Sequence, residues 1–360
     1  MPGTRILLTG ADGLIGSHIL AQLLSYETVS VRAVVRTRGA VAALRQQYSH
    51  ALPTSLDICL VPRQDFSLPG DSDSVFGNSI EPFGIVVHTL TANSSNEADC
   101  LAKFINLETD RALSLLSLIQ VAAPTVTRVV IVTSLAPFAR WLIGPGTSNN
   151  PTQVHFGATT IDTGYILAAS QASDNIVYDA LAQWPRKSGA RFDVTYFTAP
   201  NVYGPTVLPL ETSTDLSEGN RRIWDICSND SSTRTDTSPY GIDPFLDVRD
   251  LATSVVRAVF IHEAANQRFV LAAGIMPSGA EIAKHIVNHF PQLRGRIRTS
   301  GAEPRRYQAT ETSLESFNTY LVSSILGIDQ LRTAEVTIRD TTQQMLDLQQ
   351  RKTWKSVIES

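Results

Sequence analysis

Cysteine is scarce in this chain. The three in 360 residues, Cys59, Cys100 and Cys227, lie far apart. They have neither the spacing of a metal site nor the density of a disulfide framework, and this usage fits a reducing compartment. Long apolar runs are missing too: nothing approaches the roughly 20 residues that a helix needs to span a bilayer. No charged leader, apolar core or cleavage site precedes the first strand. Long basic runs are absent and the formal net charge is -4, so the electrostatic footprint of a nucleic-acid binder is not there. Arg294, Arg296, Arg298, Arg305 and Arg306 form a basic patch, which reads as solvated surface in an acidic chain. These absences predict a cytoplasmic protein with no membrane, nucleic-acid or metal partner. They leave its oligomeric state open. With 43% hydrophobic residues the chain is long enough to bury a large core, as one domain or two interleaved ones.

What is present begins at the N-terminus. The apolar run Ile6-Leu7-Leu8-Thr9 leads into Gly10, Gly13 and Gly16, and then into Leu14, Ile15, Ile19, Leu20, Leu23 and Leu24 at helical spacing. A G-x-x-G-x-x-G turn between strand and helix is a dinucleotide-binding signature. Gly10 permits the tight turn, Gly13 lets a diphosphate approach the backbone, and Gly16 lets helix and strand pack closely. The helix start aims unpaired N–H groups and its positive dipole end at the phosphates. Thr9, Gly10, Asp12, Gly13, Leu14, Ile15 and Gly16 are therefore assigned to the cofactor.

Val31 to Arg36 is a second strand that ends in Arg36-Thr37-Arg38, with no acid. An acid at that point bonds the free ribose 2′-hydroxyl and an arginine pairs with a 2′-phosphate, so Arg36 points to NADP(H). Asp57–Val61, Gly84–His88 and Arg128–Val132 are further strands, with a long helical pattern over Ala102–Val121. Strands alternating with helices predict an α/β fold, a doubly wound parallel sheet covered on both faces. Ligands bind beyond the carboxyl ends of such strands. Asp65, Phe66, Leu90, Thr91 and Thr133, with Pro200 and Val202 after a later strand, join the cofactor-binding set on that ground. Trp141–Ile161 reads as a loop, Ala168–Trp184 as a helix and Phe192–Phe197 as a strand. Leu210–Tyr240 reads as a polar loop with a short helix, Phe245–His262 as a capped helix region, and Phe269–Ala272 as another strand.

These residues resemble the extended short-chain dehydrogenase/reductases, particularly the dihydroflavonol-reductase-like carbonyl reductases of the NAD(P)-dependent epimerase/dehydratase group. The matches are the Thr9–Gly16 loop, Val31–Arg36, Val87-His88, Asn106, Arg128-Val129-Val130 before Thr133-Ser134, Val202-Tyr203-Gly204-Pro205, Phe245 to Ala252 and Arg268 to Leu271. The resemblance implies a Rossmann domain over 1–205, with 243–272 returning to it, and a smaller C-terminal substrate lobe from 206–242 and 273–360. It also implies a catalytic tyrosine, a lysine four residues on, and a serine that Ser134 matches.

The tyrosine and lysine are missing. The lysines are Lys103, Lys187, Lys284, Lys352 and Lys355, and none follows a tyrosine by four. Aligning Trp184 and the Thr198–Pro205 turn puts Ala172 at the tyrosine and Ile176 at the lysine. Tyr165, read as preceding the helix, and Tyr178 flank that site. Ala199 also stands where the family usually has proline. General acid–base help contributes about 10² to 10⁴-fold, so the leading expectation is a non-redox reaction: isomerisation, cyclisation, dehydration or a pericyclic step on a largely apolar carbonyl metabolite, in specialised metabolism. NADP(H) would then be structural. Ser134, Tyr165 and Tyr178 are the catalytic candidates, with Asp162 and His155 as further polar groups. One alternative is a NADPH-dependent ketone or aldehyde reductase whose proton comes from Tyr165 or from a water held by Ser134 and Thr133. The other is a catalytically inactive NADP(H) sensor.

Overall fold

The computed structural model describes residues 3–62, 71–77, 79, 81–89, 101–134, 153–156, 159–210, 216–228, 244–297 and 319–358. Its first half runs β1 (Thr4–Thr9), α1 (Leu14–Leu23), β2 (Val29–Val35), α2 (Arg38–Gln47), β3 (Leu56–Leu60), α3 (Asp71–Phe76), β4 (Ile85–His88), α4 (Leu101–Ala122) and β5 (Arg128–Ser134). A hairpin of β6 (Gln153–Phe156) and β7 (Thr159–Asp162) leads to α5 (Thr163–Ser188), β8 (Asp193–Ala199) and β9 (Asn201–Tyr203). The chain then forms α6 (Glu218–Ser228), β10 (Pro244–Asp247), α7 (Val248–Phe260), β11 (Arg268–Val270), β12 (Gly274–Ile275), α8 (Gly279–His289), α9 (Thr319–Leu326) and α10 (Ala334–Ile358).

Seven strands make one sheet in the order β3-β2-β1-β4-β5-β8-β11, with every neighbouring pair parallel. The sequence of these strands is nearly continuous in apolar residues because both faces are covered. Ile6, Leu8, Val31 and Val130 pack on one face with Ile19 of α1 and Val255 of α7. Leu7, Val34, Val86 and Val129 pack on the other with Leu116 of α4 and Leu181 of α5. Each such side chain contributes about 1.5–3 kcal/mol by leaving water. The strand order reverses between β1 and β4, which opens a crevice at their carboxyl ends.

A second, smaller sheet pairs β10 with β9 in parallel and with β12 antiparallel. Against it stand Ile223 of α6, Ile282 and Ile286 of α8, and Ile338 and Met345 of α10, around Tyr203 and Phe245. Asp247 ends β10 and caps α7, accepting from the Arg249 N–H at 2.9 Å. It also accepts from Thr337 of α10 at 2.7 Å, and Arg249 reaches Asp340 at 2.7 Å. The Asp-Val-Arg-Asp block thus fastens the C-terminal helix to the small sheet.

Three expectations differ from this fold. The stretch expected to be loop over Trp141–Ile161 contains β6 and β7, since Val154, Thr159, Thr160 and Ile161 favour strands within a segment otherwise rich in turn residues. Phe245–Asp247 is a buried strand before α7, the capped helix proper starting at Val248. Helix α5 begins at Thr163, immediately after Asp162, so Tyr165 lies in its first turn and does not precede it.

Candidate active site

The glycine loop is preformed. Gly10 has φ +70°, a conformation that costs glycine little and other residues more. The Gly13 N–H donates to the Gly10 carbonyl at 2.9 Å, and the Ala11 N–H to the Val34 carbonyl at 3.2 Å. Gly16 packs on the turn so closely that a Cβ there would lie 2.0 Å from the Gly10 oxygen. Helix α1 starts with Gly13 as its N-cap, with no side-chain cap among the described residues and no acid in its first turn. Its first N–H groups are left for an anion. The shape and the free N–H groups of this cradle suit the diphosphate of a dinucleotide.

Thr9 and His88 stand side by side at the point where the strand order reverses, paired in register across β1 and β4. The Thr9 hydroxyl and His88 Nδ1 are hydrogen-bonded at 2.8 Å. The Thr89 hydroxyl donates to the Thr9 carbonyl at 2.7 Å. Burial pushes the His88 imidazole down to about 4, so it is neutral at physiological pH. An unfolded chain takes up this proton near pH 6.5 and the native one only near 4, so native stability falls as pH drops between those values. The loss should reach about 3 kcal/mol. Urea titrations of wild type and His88→Gln from pH 7.5 to 4.5 should show the wild type losing most of that, about 2–3 kcal/mol, more than the variant; parallel curves would refute the assignment.

A second cluster lies at the carboxyl-terminal ends of β5 and β8 and the start of β11. Asp174 of α5 is buried and collects hydrogen bonds from Thr133 at 3.1 Å, Tyr196 at 2.9 Å, Thr198 at 2.6 Å and Arg268 at 2.5 Å. Burial, followed by the Asp174 charge, holds the Tyr196 phenol well above its ordinary range. Thr133, expected to meet cofactor, is engaged in this network. Sequence reading missed Asp174, Tyr196, Thr198 and Arg268 as a unit.

The remaining candidates scatter. Ser134 ends β5, paired with Ala199. Ala172 and Ile176 are exposed on α5, Ile176 by 53%. Tyr178 packs on Tyr196 at 5.5 Å and under the Arg268 guanidinium at 4.7 Å. It lines a groove with Phe192, Asp193 and Val194, at the start of β8 and away from the carboxyl ends, a position that does not suit a catalytic tyrosine. Pro200 links β8 to β9, and Val202 pairs with Leu246 in the small sheet. His155 and Asp162 lie on the β6–β7 hairpin. Asp65, Phe66, Leu90 and Thr91 lie outside the described residues, as do Arg298, Arg305 and Arg306 of the basic patch. Among the described residues no helix is long and apolar enough to cross a membrane, and no group of three or more His, Cys, Asp or Glu side chains could hold a metal.

Helix α5 gives these positions a scale. Asp174 touches the ends of β5 and β8, and α5 runs antiparallel to β8. At 1.5 Å per residue, the Tyr165 backbone stands about 13 Å further along the axis, where α5 overhangs the strand ends.

No family model matches the chain. A ketoreductase of Aspergillus niger, azaE, is 28% identical over 301 residues, which is 81% of this chain and 84% of that protein. An uncharacterized oxidoreductase of Schizosaccharomyces pombe is 24% identical over 303 residues, again 81% of this chain and 84% of its own length. Yeast methylglyoxal/isovaleraldehyde reductase Gre2, solved with NADPH, superposes with a TM-score of 0.70 at 18% identity, over 97% of this chain and all of that one. These relatives favour the reductase alternative over the non-redox reaction that the missing tyrosine and lysine suggested. Seven parallel strands wound about a β1–β4 crevice, overlaid by oxidoreductases along nearly the whole length, give this chain the fold of the extended short-chain dehydrogenase/reductases.

Proposed function

We propose that this protein is a nicotinamide-dependent carbonyl reductase of small metabolites, with Tyr165 as its proton donor. The observation that carries the reading is the preformed glycine cradle at the β1–β4 switch point, on a fold whose sequence relatives are named as oxidoreductases. The bound cofactor would supply hydride. Gly13, Leu14, Ile15 and Gly16 would hold its diphosphate by backbone N–H groups, and Ser134 at the end of β5 would accept a place beside the substrate carbonyl. The substrate oxygen needs one proton as the hydride arrives, and Tyr165 lies on the overhanging first turn of α5, in the region where ligands of such sheets bind. Ala169 occupies the position four residues on. With alanine and not lysine at that position, turnover should be slower than a tyrosine–lysine pair would give.

The test is loss of nicotinamide absorbance with a panel of ketones, aldehydes and 2-oxoaldehydes. Wild type should consume cofactor in proportion to alcohol formed, and Tyr165→Phe should lower kcat about 10²-fold or more while cofactor binding is kept. Cofactor binding with no oxidation across the panel would overturn the reductase reading. An unchanged kcat in Tyr165→Phe would remove Tyr165 from the proton's path.

A further inference from the structure

The adenosine end of the cradle holds an acid that its strand lacks. Asp12 belongs to the glycine loop, and its side chain is 91% buried, with 9% exposed. Its Oδ2 accepts from the Arg36 backbone N–H at 3.4 Å and lies 3.6 Å from Arg36 Nε. Its Oδ1 is buried and finds no hydrogen-bond donor among the described residues. A carboxylate oxygen in that condition is costly unless something supplies a donor. The carboxylate therefore bridges the loop to the end of β2, where a Rossmann site meets the adenosine ribose. Arg36 is 47% exposed and already shares its charge with Asp12.

We infer that Asp12 makes this site accept the 2′-hydroxyl of NADH as readily as the 2′-phosphate of NADPH, with the loop providing the acid usually found at the end of the second strand. A ribose hydroxyl would donate to the orphan Oδ1. A 2′-phosphate would gain Arg36 and meet the Asp12 charge at the same place, and the two effects oppose each other. Arg36 alone predicts selection of NADPH; the Asp12–Arg36 pair predicts little selection. The inference rests on the cofactor reading above, and a binding measurement separates the two.

Titrations of the full chain with NADPH, NADH, 2′,5′-ADP and 5′-AMP test it by calorimetry, with no turnover needed. Wild type should bind NADPH and NADH with dissociation constants within about tenfold of each other. Asp12→Asn, nearly the same shape, should shift the ratio about tenfold or more towards NADPH and 2′,5′-ADP. Arg36→Ala should weaken the two 2′-phosphorylated ligands and spare the other two. A wild-type preference for NADPH well above tenfold, or a ratio unmoved by Asp12→Asn in protein with an unchanged melting temperature, would overturn it. Failure of wild type to bind any of the four would overturn the cofactor reading itself.

Discussion

Gly16→Ala should cost this protein both its cofactor and a sizeable part of its stability. The added Cβ would lie 2.0 Å from the Gly10 oxygen and 2.7 Å from the Gly10 carbonyl carbon. Both are backbone atoms of a turn that is itself fixed, with Gly10 at φ +70° and the neighbouring Ala11 N–H bonded to Val34 on β2. No rotamer change relieves such a contact, so α1 must lift from β1 or the loop must open. Alanine gains about 1 kcal/mol over glycine inside a helix, while overpacking costs about 1–3 kcal/mol and more when backbone must move. The expected net loss is about 2 kcal/mol by urea denaturation, and on the proposed cofactor reading NADPH affinity should fall at least 100-fold because the loop N–H groups that would meet its phosphates are displaced. Gly13→Ala supplies the comparison. Its Cβ would sit 3.3 Å from the same oxygen, a contact that small adjustments absorb, so its stability should change by less than about 1 kcal/mol. Equal effects of the two substitutions would refute the packing explanation.

The glycine loop and the parallel sheet were legible because their signals are local. A strand, three glycines at fixed spacing and an amphipathic helix sit within twenty residues, and apolar runs such as Val129–Val132 declare a strand covered on both faces. The missing tyrosine–lysine pair was equally plain, since it needs only a list of lysines. What it implied was harder to read. Loss of the pair removes a known proton donor, but it does not say whether another has taken over, and the relatives point to reduction. The Asp12–Arg36 pair escaped because each residue was judged against its own strand or loop; they lie 24 positions apart. Tyr165 reads as lying outside the helix because Thr163 and Gly164 beside it are turn residues, whereas the helix starts at Thr163. Asp174 shows the limit most clearly. Its partners Tyr196, Thr198, Thr133 and Arg268 are 22 to 94 positions away, and an acid in the middle of a helix ordinarily reads as solvent-facing.

That acid carries the second large expected effect. Asp174→Ala should destabilise the fold by about 3–5 kcal/mol, the range for breaking a buried ion pair from one side. The Thr198 and Tyr196 hydroxyls would lose their acceptor, Thr133 would be left with the Phe197 carbonyl, and the Arg268 guanidinium, only 19% exposed, would lose its counter-ion. Arg268 also donates to Asn175 at 2.6 Å and stacks over Tyr178, so it is held where it is and cannot swing out to water at low cost. Asp174→Asn keeps an acceptor for the hydroxyls and removes the charge, so it should cost less, about 2 kcal/mol. Arg268→Met alone should also destabilise, leaving a buried carboxylate with three hydroxyl donors. Combined with Asp174→Asn it should cost less than the two single losses added, because the double variant contains no unpaired charge. Strict additivity in urea would deny the pair its coupling, and a loss below about 1 kcal/mol for Asp174→Ala would deny the network its weight. The same network anchors α5 to the ends of β5 and β8, roughly nine residues below Tyr165 on one continuous helix. Loosening it should therefore disturb the donor's position more than the cradle's, and Asp174→Asn is expected to lower kcat for carbonyl reduction while the calorimetric affinity for NADPH stays within about twofold of wild type.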